Sequence, residues 1–378
     1  VMRQPGGELA AFYNSCQHRG NRIITEARGQ LQRLRCPYHG WSYALDGQLQ
    51  GVPSRKKFPG VIDAGSHSLQ TVAVAELHGL VWINMAENPA PLPDYLGSIA
   101  ELLEPYQLSR MLLAQHQTLS LQANWKTLRD NFLEQYHVDF IHPQHADIVD
   151  CDMSLNILYP FGHSSTQVQG FLTDSKYPVP EQIPGYLAPL LQGLGLELGD
   201  FDGRVPVLRT AVQQQKRQLA AEFGFDYGAL SDDQLTDVVQ IDVFPNLFLT
   251  IQAEQVAIFS SRPHPDDPDR CWLDKWTLQV PREQATDDQR GLSLAPGLLR
   301  ASEEPRPVLE QFTREDILKQ THSLTMTFDQ DVFYLQDMQK GMHSRGYQAA
   351  TLNAEEIRIQ HFHDWLDSWL AAVPQALE

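Results

Sequence analysis

Cysteine and long apolar runs are scarce in this chain of 378 residues. Four cysteines are too few for the disulfide framework of a secreted protein. No apolar run reaches the roughly 18 residues that a membrane-spanning helix needs. The 29 basic residues are outnumbered by 47 acidic ones, and the resulting net charge of −18 argues against a general nucleic-acid binder. These absences predict a cytoplasmic protein with neither a membrane nor a nucleic acid as its partner.

The composition is otherwise that of a globular protein, with 42% hydrophobic and 20% charged residues. At roughly 100 to 200 residues per domain, the length predicts about two domains, each large enough to fold without a metal. A turn signal, Pro5-Gly6-Gly7, lies directly ahead of a strand-like run near the first residue. With no signal peptide before it, we expect a truncated N-terminus.

Charge and glycine divide the chain into two parts. Residues 1–60 carry nine basic against three acidic side chains, and glycines separate short strand-like runs there. This pattern is typical of a small β-rich domain. Three prolines within residues 86–93 predict a boundary, with a first domain over 1–90 and a second over 91–378.

The second part combines longer helix and strand patterns, which predicts an α+β fold. The predicted helices cover residues 94–106, 124–140, 211–223, 308–319, 329–342 and 354–373. The predicted strands cover residues 116–122, 154–159, 164–171, 238–252, 255–262 and 271–280.

Two Cys/His pairs lie in the first part. Cys16 and His18 belong to the segment C-Q-H-R-G, and Cys36 and His39 belong to C-P-Y-H-G-W. Two thiolates and two imidazoles suit a [2Fe-2S] centre in which the cysteines hold one iron and the histidines the other. A structural zinc site accepts the same ligand types, but C-x-H is an unusual arm for one. Unligated core cysteines with surface histidines are the second alternative.

A second polar constellation follows a predicted helix start at Asn124. Glu134 and His137 are three residues apart and would share one face of a helix. His142 reaches the same metal as His137 only if the helix ends between them, which Pro143 favours because it biases the preceding residue away from the α region. Two histidines and one carboxylate leave three positions open on an iron, as in non-haem iron oxygenases. Taken alone, the two histidines also suit a plain surface position.

Together, the two constellations resemble the Rieske non-haem iron oxygenases, in their large α subunits. C-x-H-R-G followed by C-P-Y-H-G-W is similar to the Rieske signature, and N-W-K-x3-D-N-x2-E-x-Y-H-x4-H is similar to the family's catalytic motif. The resemblance covers nearly the whole chain. It implies a small all-β Rieske [2Fe-2S] domain and a larger α+β catalytic domain of the helix-grip type, an antiparallel sheet with helices.

The resemblance also implies a set of metal ligands. The ligands of the [2Fe-2S] cluster would be Cys16, His18, Cys36 and His39. A mononuclear Fe(II) would be held by His137, His142 and an aspartate. We prefer Asp331, which lies eight residues before Gln339 as in the family's D-x7-Q pattern, while Asp329 remains an alternative.

Further residues are assigned roles beside the iron by the same resemblance. Glu134 would be the carboxylate that bridges to the Rieske centre of the neighbouring subunit, at a position where many members have aspartate. Asn131 would lie near the iron. We expect His145 to be a surface or neighbouring group rather than a ligand, and Asp337 to be a solvated helix charge.

The activity implied by the resemblance is that of an oxidoreductase that incorporates O2. Electrons would cross between subunits of a homotrimer, α3 or α3β3, from His39 of one chain to Glu134 and His137 of the next. No GxGxxG nucleotide loop occurs in the sequence, so NAD(P)H is expected to act through a separate ferredoxin or flavin reductase. The basic excess of residues 1–60 is either its docking surface or a solvated face.

The substrate is expected to be an aromatic or related small organic molecule, with cis-dihydroxylation placed ahead of monohydroxylation and oxidative demethylation. A pure electron-transfer Rieske protein would leave Glu134, His137 and His142 without a task, and a zinc-stabilised binding module is a further alternative. Apolar side chains suit an aromatic pocket, although core packing explains most of them better. They are Phe161, Phe171, Leu247, Phe248, Leu249 and Phe259.

Overall fold

The computed structural model describes residues 1–223, 226–280 and 306–372. Its contacts divide the chain into two units, Val1–Ala100 and Glu101–Glu378. The boundary that we predicted from the prolines, between residues 90 and 91, lies earlier than this division, just before the helix Leu92–Leu96. The predicted α+β class is confirmed, since small sheets come first and a large antiparallel sheet with helices follows.

Two small antiparallel sheets form most of the first unit. The strands of the larger sheet, in spatial order, are β1 (Met2–Arg3), β2 (Leu9–Phe12), β6 (Thr71–Leu77) and β7 (Leu80–Asn84). The strands of the smaller sheet are β3 (Leu34–Arg35), β4 (Ser42–Tyr43) and β5 (Leu49–Gly51). The helices of this region are α1 (Ala64–His67), α2 (Leu92–Leu96) and α3 (Ser98–Leu103).

The first unit has its own apolar core. Cys16 and Cys36 belong to it, each 2% exposed, together with Trp41 and the fully buried Tyr43. Both cysteines lie in loops, and their side chains pack in this core. These contacts hold the two loops in place.

An eight-stranded sheet forms the centre of the second unit, and within it the only parallel pair among the described strands is β15 with β8. The strands in spatial order are β15 (Glu310–Thr313), β8 (Leu112–Leu121), β14 (Cys271–Gln279), β13 (Gln255–Pro263), β12 (Leu247–Gln252), β11 (Val238–Val243), β10 (Ser164–Gly170) and β9 (Val149–Leu158). The helices are α4 (Trp125–Asn131), α5 (Val138–Ile141), α6 (Ala188–Gly193), α7 (Leu208–Phe223), α8 (Asp232–Thr236), α9 (Arg314–Leu318), α10 (Met326–Met342) and α11 (Ile357–Ala372).

Helices α4 and α10 pack on the middle of this sheet. Leu128 of α4 and Leu335 of α10 share one apolar core with Leu119 and Leu273 of strands β8 and β14. Phe132, just after α4, stacks on Phe248 and Phe259 at 5.0 and 5.4 Å between ring centroids. The sheet therefore supports both helices from one side and brings the residues after α4 towards α10.

Four predicted elements differ clearly from the observed ones. The helix predicted over 94–106 is two helices, α2 and α3, separated by Gly97. The helix predicted over 124–140 ends at Asn131, because the N–H groups of Phe132 and Leu133 bond to carbonyls only three residues back and tighten the last turn. The strand predicted over 238–252 is a hairpin that turns at Pro245, which has no N–H to donate to a strand. The helix predicted over 308–319 begins as strand β15.

Within the described residues, every helix is too short or too polar to cross a lipid bilayer.

Candidate metal centres

The two Cys/His loops of the first unit have the same backbone pattern. The N–H of Cys16 bonds to the carbonyl of Asn21 at 2.9 Å, and the N–H of Cys36 bonds to that of Trp41 at 2.8 Å. In each loop the glycine four residues after the cysteine donates back to the cysteine carbonyl, at 2.8 Å for Gly20 and 3.0 Å for Gly40. Both glycines have positive φ, 74° and 73°, which a residue with a side chain rarely adopts.

The sulfurs of this pair of loops lie among hydrogen-bond donors. Tyr43 Oη lies 3.3 Å from Cys16 Sγ and accepts the N–H of Gln17 at 3.0 Å, so its proton is free for the sulfur. Burial raises the pKa of Cys36, but hydrogen bonds from the N–H groups of Tyr38 and His39 and from the side chains of Cys16 and Asn21 together hold the pKa below its ordinary value. The surroundings of Cys36 therefore favour the thiolate, the form that binds iron.

The histidines lie on the outer side of the same loops. His18 is half-buried under Trp41, whose ring stacks on it at 5.1 Å and 7°, and His39 is exposed. Their Nδ1 atoms are 3.1 Å apart. Imidazoles bind metals at about 2 Å, so two nitrogens at this separation suit two ligands of one ion. The structure thus groups buried sulfurs with outward-facing nitrogens.

In the second unit, His137, His142 and Asp331 come together although Asp331 follows His142 by 189 residues and His137 by 194. Asp331 Oδ1 lies 2.9 Å from His142 Nε2 and 3.5 Å from His137 Nε2. One ligand atom from each residue lies within 4.8 Å of the others. His142 and Asp331 are buried, at 2% and 3% exposure. Two imidazoles and a carboxylate converging in this way can hold a divalent transition metal.

Local backbone signals place the two histidines on either side of a short helix. Asn124 caps the start of α4 by accepting the N–H of Lys126 at 2.9 Å. His137 directly precedes the next helix, α5, and His142 follows its last residue with φ −122° and ψ 53°. His142 is therefore outside the α region, as Pro143 predicts.

Glu134 contacts His137 through a turn and not through a shared helix face, so our expectation of a helical i, i+3 pair was wrong. One oxygen of Glu134 bonds to the ring at Nδ1, and the other accepts the backbone N–H of His137 at 3.0 Å. Burial lowers the pKa of His137, but the hydrogen bond to Glu134 and the charges of Glu134 and Asp331 together raise the pKa above its ordinary value. Because Nδ1 of His137 bonds to Glu134, Nε2 is the nitrogen of this ring that faces Asp331.

Gln330 orients the ring of His142 through a hydrogen bond at Nδ1, as Glu134 orients the ring of His137. Its side-chain oxygen accepts hydrogen bonds from Nδ1 of His142 at 2.8 Å and from Nε2 of Gln144 at 2.7 Å. With Nδ1 engaged by Gln330, Nε2 of His142 is the nitrogen that faces Asp331 and is available to a metal. Sequence analysis did not single out Gln330, although its position next to Asp331 was a signal.

The three aspartates of helix α10 have different surroundings. Asp331 faces the histidines, whereas Asp329 accepts the hydroxyl of Ser323 at 2.5 Å and the N–H of Leu324 at 2.9 Å. Asp337 is exposed and pairs with Lys340, as expected for a solvated charge. Asp331 is therefore the carboxylate of this helix that the geometry offers to a metal.

Two further residues, Asn131 and His145, are candidate neighbours of the predicted iron site. Asn131 is 8% exposed, and its Nδ2 has no hydrogen-bond partner in the part of the chain that the structure describes. His145 is not on the surface, because its Nε2 bonds to Thr327 Oγ1 at 3.1 Å and its ring lies 5.5 Å from that of His142. Burial lowers the pKa of His145 to about 4, so this ring is neutral.

The apolar residues suggested as an aromatic pocket mostly pack inside the protein. Phe171, Phe248, Leu249 and Phe259 are between 0% and 3% exposed, and Phe161 is 37% exposed. Core packing accounts for the four buried ones.

Sequence profiles of two families match the chain. Residues 1–73 match the Rieske [2Fe-2S] domain, and residues 108–372 match the catalytic domain of the ring-hydroxylating alpha subunit. The second match covers more than half of the chain. The chain belongs to the family of Rieske oxygenase large subunits. This confirms the family and the fold that the two motifs predicted.

Among the relatives of this Rieske oxygenase subunit is the glycine betaine monooxygenase oxygenase subunit of Chromohalobacter salexigens. It is 37% identical over 146 residues, which are 38% of this chain and 32% of the relative. The large oxygenase component of the naphthalene 1,2-dioxygenase system of Pseudomonas putida is 34% identical over 148 residues, 38% of this chain and 33% of the relative. The matched stretches thus span about a third of each relative's length.

The fold is also similar to solved structures. A quaternary ammonium Rieske monooxygenase in complex with L-carnitine superposes with a TM-score of 0.63 at 19% identity, covering 98% of this chain and 80% of the other. At this identity the likeness concerns the fold.

The donor sets fit the cofactors of a Rieske oxygenase. Two buried thiols with two imidazoles suit a [2Fe-2S] cluster, and the imidazole and carboxylate donors of His137, His142 and Asp331 suit Fe(II). A [2Fe-2S] cluster held by the first set would supply single electrons, and an iron held by His137, His142 and Asp331 would have open positions for O2.

Proposed function

We propose that this chain is the terminal oxygenase component of a Rieske system, which uses O2 to oxidise a small organic substrate. The observation that carries the proposal is the convergence of His137, His142 and Asp331, with Nε2 of each histidine turned towards the carboxylate. Two imidazoles and one carboxylate leave the other side of an iron open to O2. The same chain carries the Cys/His loops for a cluster, so donor and acceptor of electrons are combined in one polypeptide.

The route for electrons in this proposal leads through Glu134. Its carboxylate already bonds to the ring and to the backbone of His137, and 10% of its side chain stays exposed. His39 is exposed as well. We propose that His39 of one subunit meets Glu134 of the next in a homotrimer, with electrons from a ferredoxin or flavin reductase that NAD(P)H reduces. Exposed aromatic side chains beside Glu134, Tyr136 at 52% and Phe140 at 78%, support an interface there.

For the substrate, we place a quaternary ammonium compound ahead of an aromatic ring. The names of the relatives support this order. Two of them, the glycine betaine and carnitine monooxygenases, are named for quaternary ammonium compounds, whereas the naphthalene dioxygenase is named for an aromatic one. The burial of Phe248 and Phe259 in the core removes two residues that would have favoured an aromatic pocket. Monooxygenation takes O2, two electrons and two protons, places one oxygen in a C–H bond and releases the other as water. When the hydroxylated carbon is bonded to a quaternary nitrogen, its C–N bond then breaks, which releases the carbon as an aldehyde together with a tertiary amine and a proton.

A single-turnover experiment tests this function without the unidentified reductase. The protein is loaded with Fe(II), reduced with stoichiometric dithionite and mixed with O2 and glycine betaine, carnitine or naphthalene. We expect the cluster to be reoxidised, and faster when the true substrate is present. We also expect an aldehyde product from glycine betaine or from carnitine. A diol from naphthalene would instead support the aromatic assignment. Absence of any oxidised product from the wild-type protein, with the same result for His142→Ala, would contradict the oxygenase proposal.

A further inference from the structure

Lys275 of strand β14 is a buried cation whose hydrogen-bond partners are neutral oxygens. Its side chain is 1% exposed. Its ammonium donates to the side-chain oxygens of Gln115 and Gln117 on the neighbouring strand β8, each at 3.3 Å, and to the backbone carbonyl of Leu324. An ammonium has three protons to donate, and here all three find an acceptor. The ammonium therefore joins the large sheet to the segment that contains Leu324.

Two carboxylates attract this ammonium, but each of them forms its hydrogen bonds with other groups. Glu310 accepts a hydrogen bond from Gln117 at 2.8 Å, and Asp329 accepts the N–H of Leu324 at 2.9 Å. Burial lowers the pKa of Lys275 to about 8, and the attraction of Asp329 and Glu310 opposes this shift. Burial of the charge is unfavourable in itself, and its hydrogen bonds and these attractions offset the cost.

The segment held by Lys275 lies directly before helix α10. Gln117 donates to the carbonyl of Ser323 at 3.0 Å, and Lys275 donates to the next carbonyl, that of Leu324. Among the described residues, the N-cap residue of the helix, Thr325, forms no side-chain capping bond. Side chains of strands β8 and β14 therefore hold the backbone from which α10 starts.

The first turns of α10 carry three side chains that contact the histidines of the proposed iron site. Thr327 Oγ1 lies 3.1 Å from Nε2 of His145. Gln330 and Asp331 contact the two ring nitrogens of His142, at 2.8 and 2.9 Å. Because a helix fixes the spacing of its residues, the position of its start determines where these side chains meet the histidines. A displaced start would therefore change the distances at the iron site.

We propose that Lys275 is a positioning residue for the mononuclear iron site. Its ammonium holds the carbonyl of Leu324 against the sheet and thereby fixes where Asp331 meets the two histidines. Lys275 acts through the backbone of this segment and is not itself a ligand. The anchoring of α10 rests on the contacts alone, whereas the effect on iron rests on the proposed function.

Metal titration tests the role of Lys275 at the iron site. Lys275→Met keeps an unbranched side chain but removes the ammonium. With the cluster intact, Co(II) as a probe of the iron site should bind about 10-fold more weakly, and its visible absorption should change because Asp331 is displaced. His142→Ala identifies which part of the Co(II) signal belongs to the site.

The matched control is Lys216→Met. Lys216 is also buried, at 3% exposure, and donates to a backbone carbonyl, that of Leu235 at 2.7 Å. This variant should keep the Co(II) affinity and spectrum of the wild type. Wild-type affinity and spectrum in Lys275→Met would overturn the proposal. Equal losses of affinity in the two variants would overturn it as well, because both would then act through general stability.

Hydrogen exchange tests the anchoring with no metal at the iron site. In Lys275→Met the amides of residues 324–331 should exchange about 10-fold faster than in the wild type, because a hydrogen bond from a charged group is lost. In Lys216→Met they should exchange as in the wild type. Unchanged rates in Lys275→Met would contradict the anchoring.

The two measurements also separate this proposal from the proposed function. Faster exchange in Lys275→Met, together with a wild-type protein that binds no Co(II) through His142, would count against the proposed function and support the anchoring. Faster exchange with unchanged Co(II) binding would overturn the positioning role. Where Lys275→Met does not accumulate, Lys275→Gln, which also removes the charge, serves in both measurements.

Discussion

The side-chain oxygen of Gln339 accepts the backbone N–H of Asn124 at 2.9 Å, across 215 residues of sequence. The same oxygen accepts the hydroxyl of Thr127 at 3.0 Å, and the amide nitrogen donates to Asp269 at 2.7 Å. Gln339 thereby joins helix α10 to the start of α4. Since α10 carries Asp331 and α4 leads to the histidines, this contact fixes the distance between the two halves of the proposed iron site.

Gln339→Ala should therefore weaken the iron site without touching a ligand. We expect a loss of about 1–3 kcal/mol in the free energy of unfolding, because a buried N–H and hydroxyl lose their acceptor. Binding of Fe(II) should weaken roughly 10-fold. The control on the same helix is Asp337→Asn, whose ion pair with Lys340 is exposed and worth little. Metal titration and urea unfolding of both variants check this, and equal behaviour of the two would contradict it.

The variants Asp331→Asn and Asp329→Asn should show which of the two aspartates binds the mononuclear iron. Asp331 lies 2.9 Å from His142, so its variant should lose the mononuclear iron while the cluster remains. Asp329 bonds to Ser323 and Leu324, so its variant should keep the iron and lose about 1–2 kcal/mol of stability. Iron analysis and thermal unfolding measure both effects. Iron loss in the Asp329 variant alone would reverse our assignment.

Motif spacing predicts which candidate ligands share one segment of backbone, because those residues are close in sequence. Cys16 with His18 and Cys36 with His39 lie in single loops, and Pro143 is enough to predict that His142 leaves the helix. D-x7-Q likewise places Asp331 and Gln339 on one helix, two turns apart. In these cases, short-range backbone geometry alone determines the arrangement.

Contacts between segments that are far apart in sequence could not be predicted from motif spacing. His363 and Asp130 are separated by 233 residues, and no local pattern indicates that their side chains form a hydrogen bond. The break of the predicted helix after Asn131 has a similar cause, since Phe132 must leave the helix to stack on the strands of the sheet. Tertiary packing overrides local helix propensity there.

Tyr43→Phe tests the hydrogen bond to the cluster sulfur. The hydroxyl accepts from Gln17 and lies 3.3 Å from Cys16 Sγ, so it can donate to a thiolate there. Such a bond stabilises the more negative, reduced cluster. Its removal should lower the reduction potential by about 40 mV, the one-electron equivalent of about 1 kcal/mol. Redox titration followed by visible absorbance measures the potential, and an unchanged or higher value would show that the bond is absent.

The pair of His363 and Asp130 should make stability depend on pH. The hydrogen bond to Asp130 raises the pKa of His363 above its ordinary value near 6.5. A raised pKa means that the pair contributes fully below pH 6.5 and loses its contribution as pH rises through the folded pKa. His363→Gln should therefore destabilise the protein by up to about 1 kcal/mol at pH 5.5 and by less at pH 8.5, since the pair is partly exposed.

Urea unfolding of the wild type and His363→Gln at both pH values checks this. Asp130→Asn is the matched control, because it should reduce the same pH-dependent difference from the other side of the pair. A destabilisation that stays constant, or grows towards pH 8.5, would contradict the assignment.

The most direct measurement is the iron, zinc and acid-labile sulfide content of anaerobically purified protein, with visible spectra before and after dithionite. A [2Fe-2S] cluster held by Cys16, His18, Cys36 and His39, with Fe(II) at His137, His142 and Asp331, predicts about three irons and two sulfides per chain and a spectrum that bleaches on reduction. Zinc without sulfide, and a colourless protein, would contradict the account.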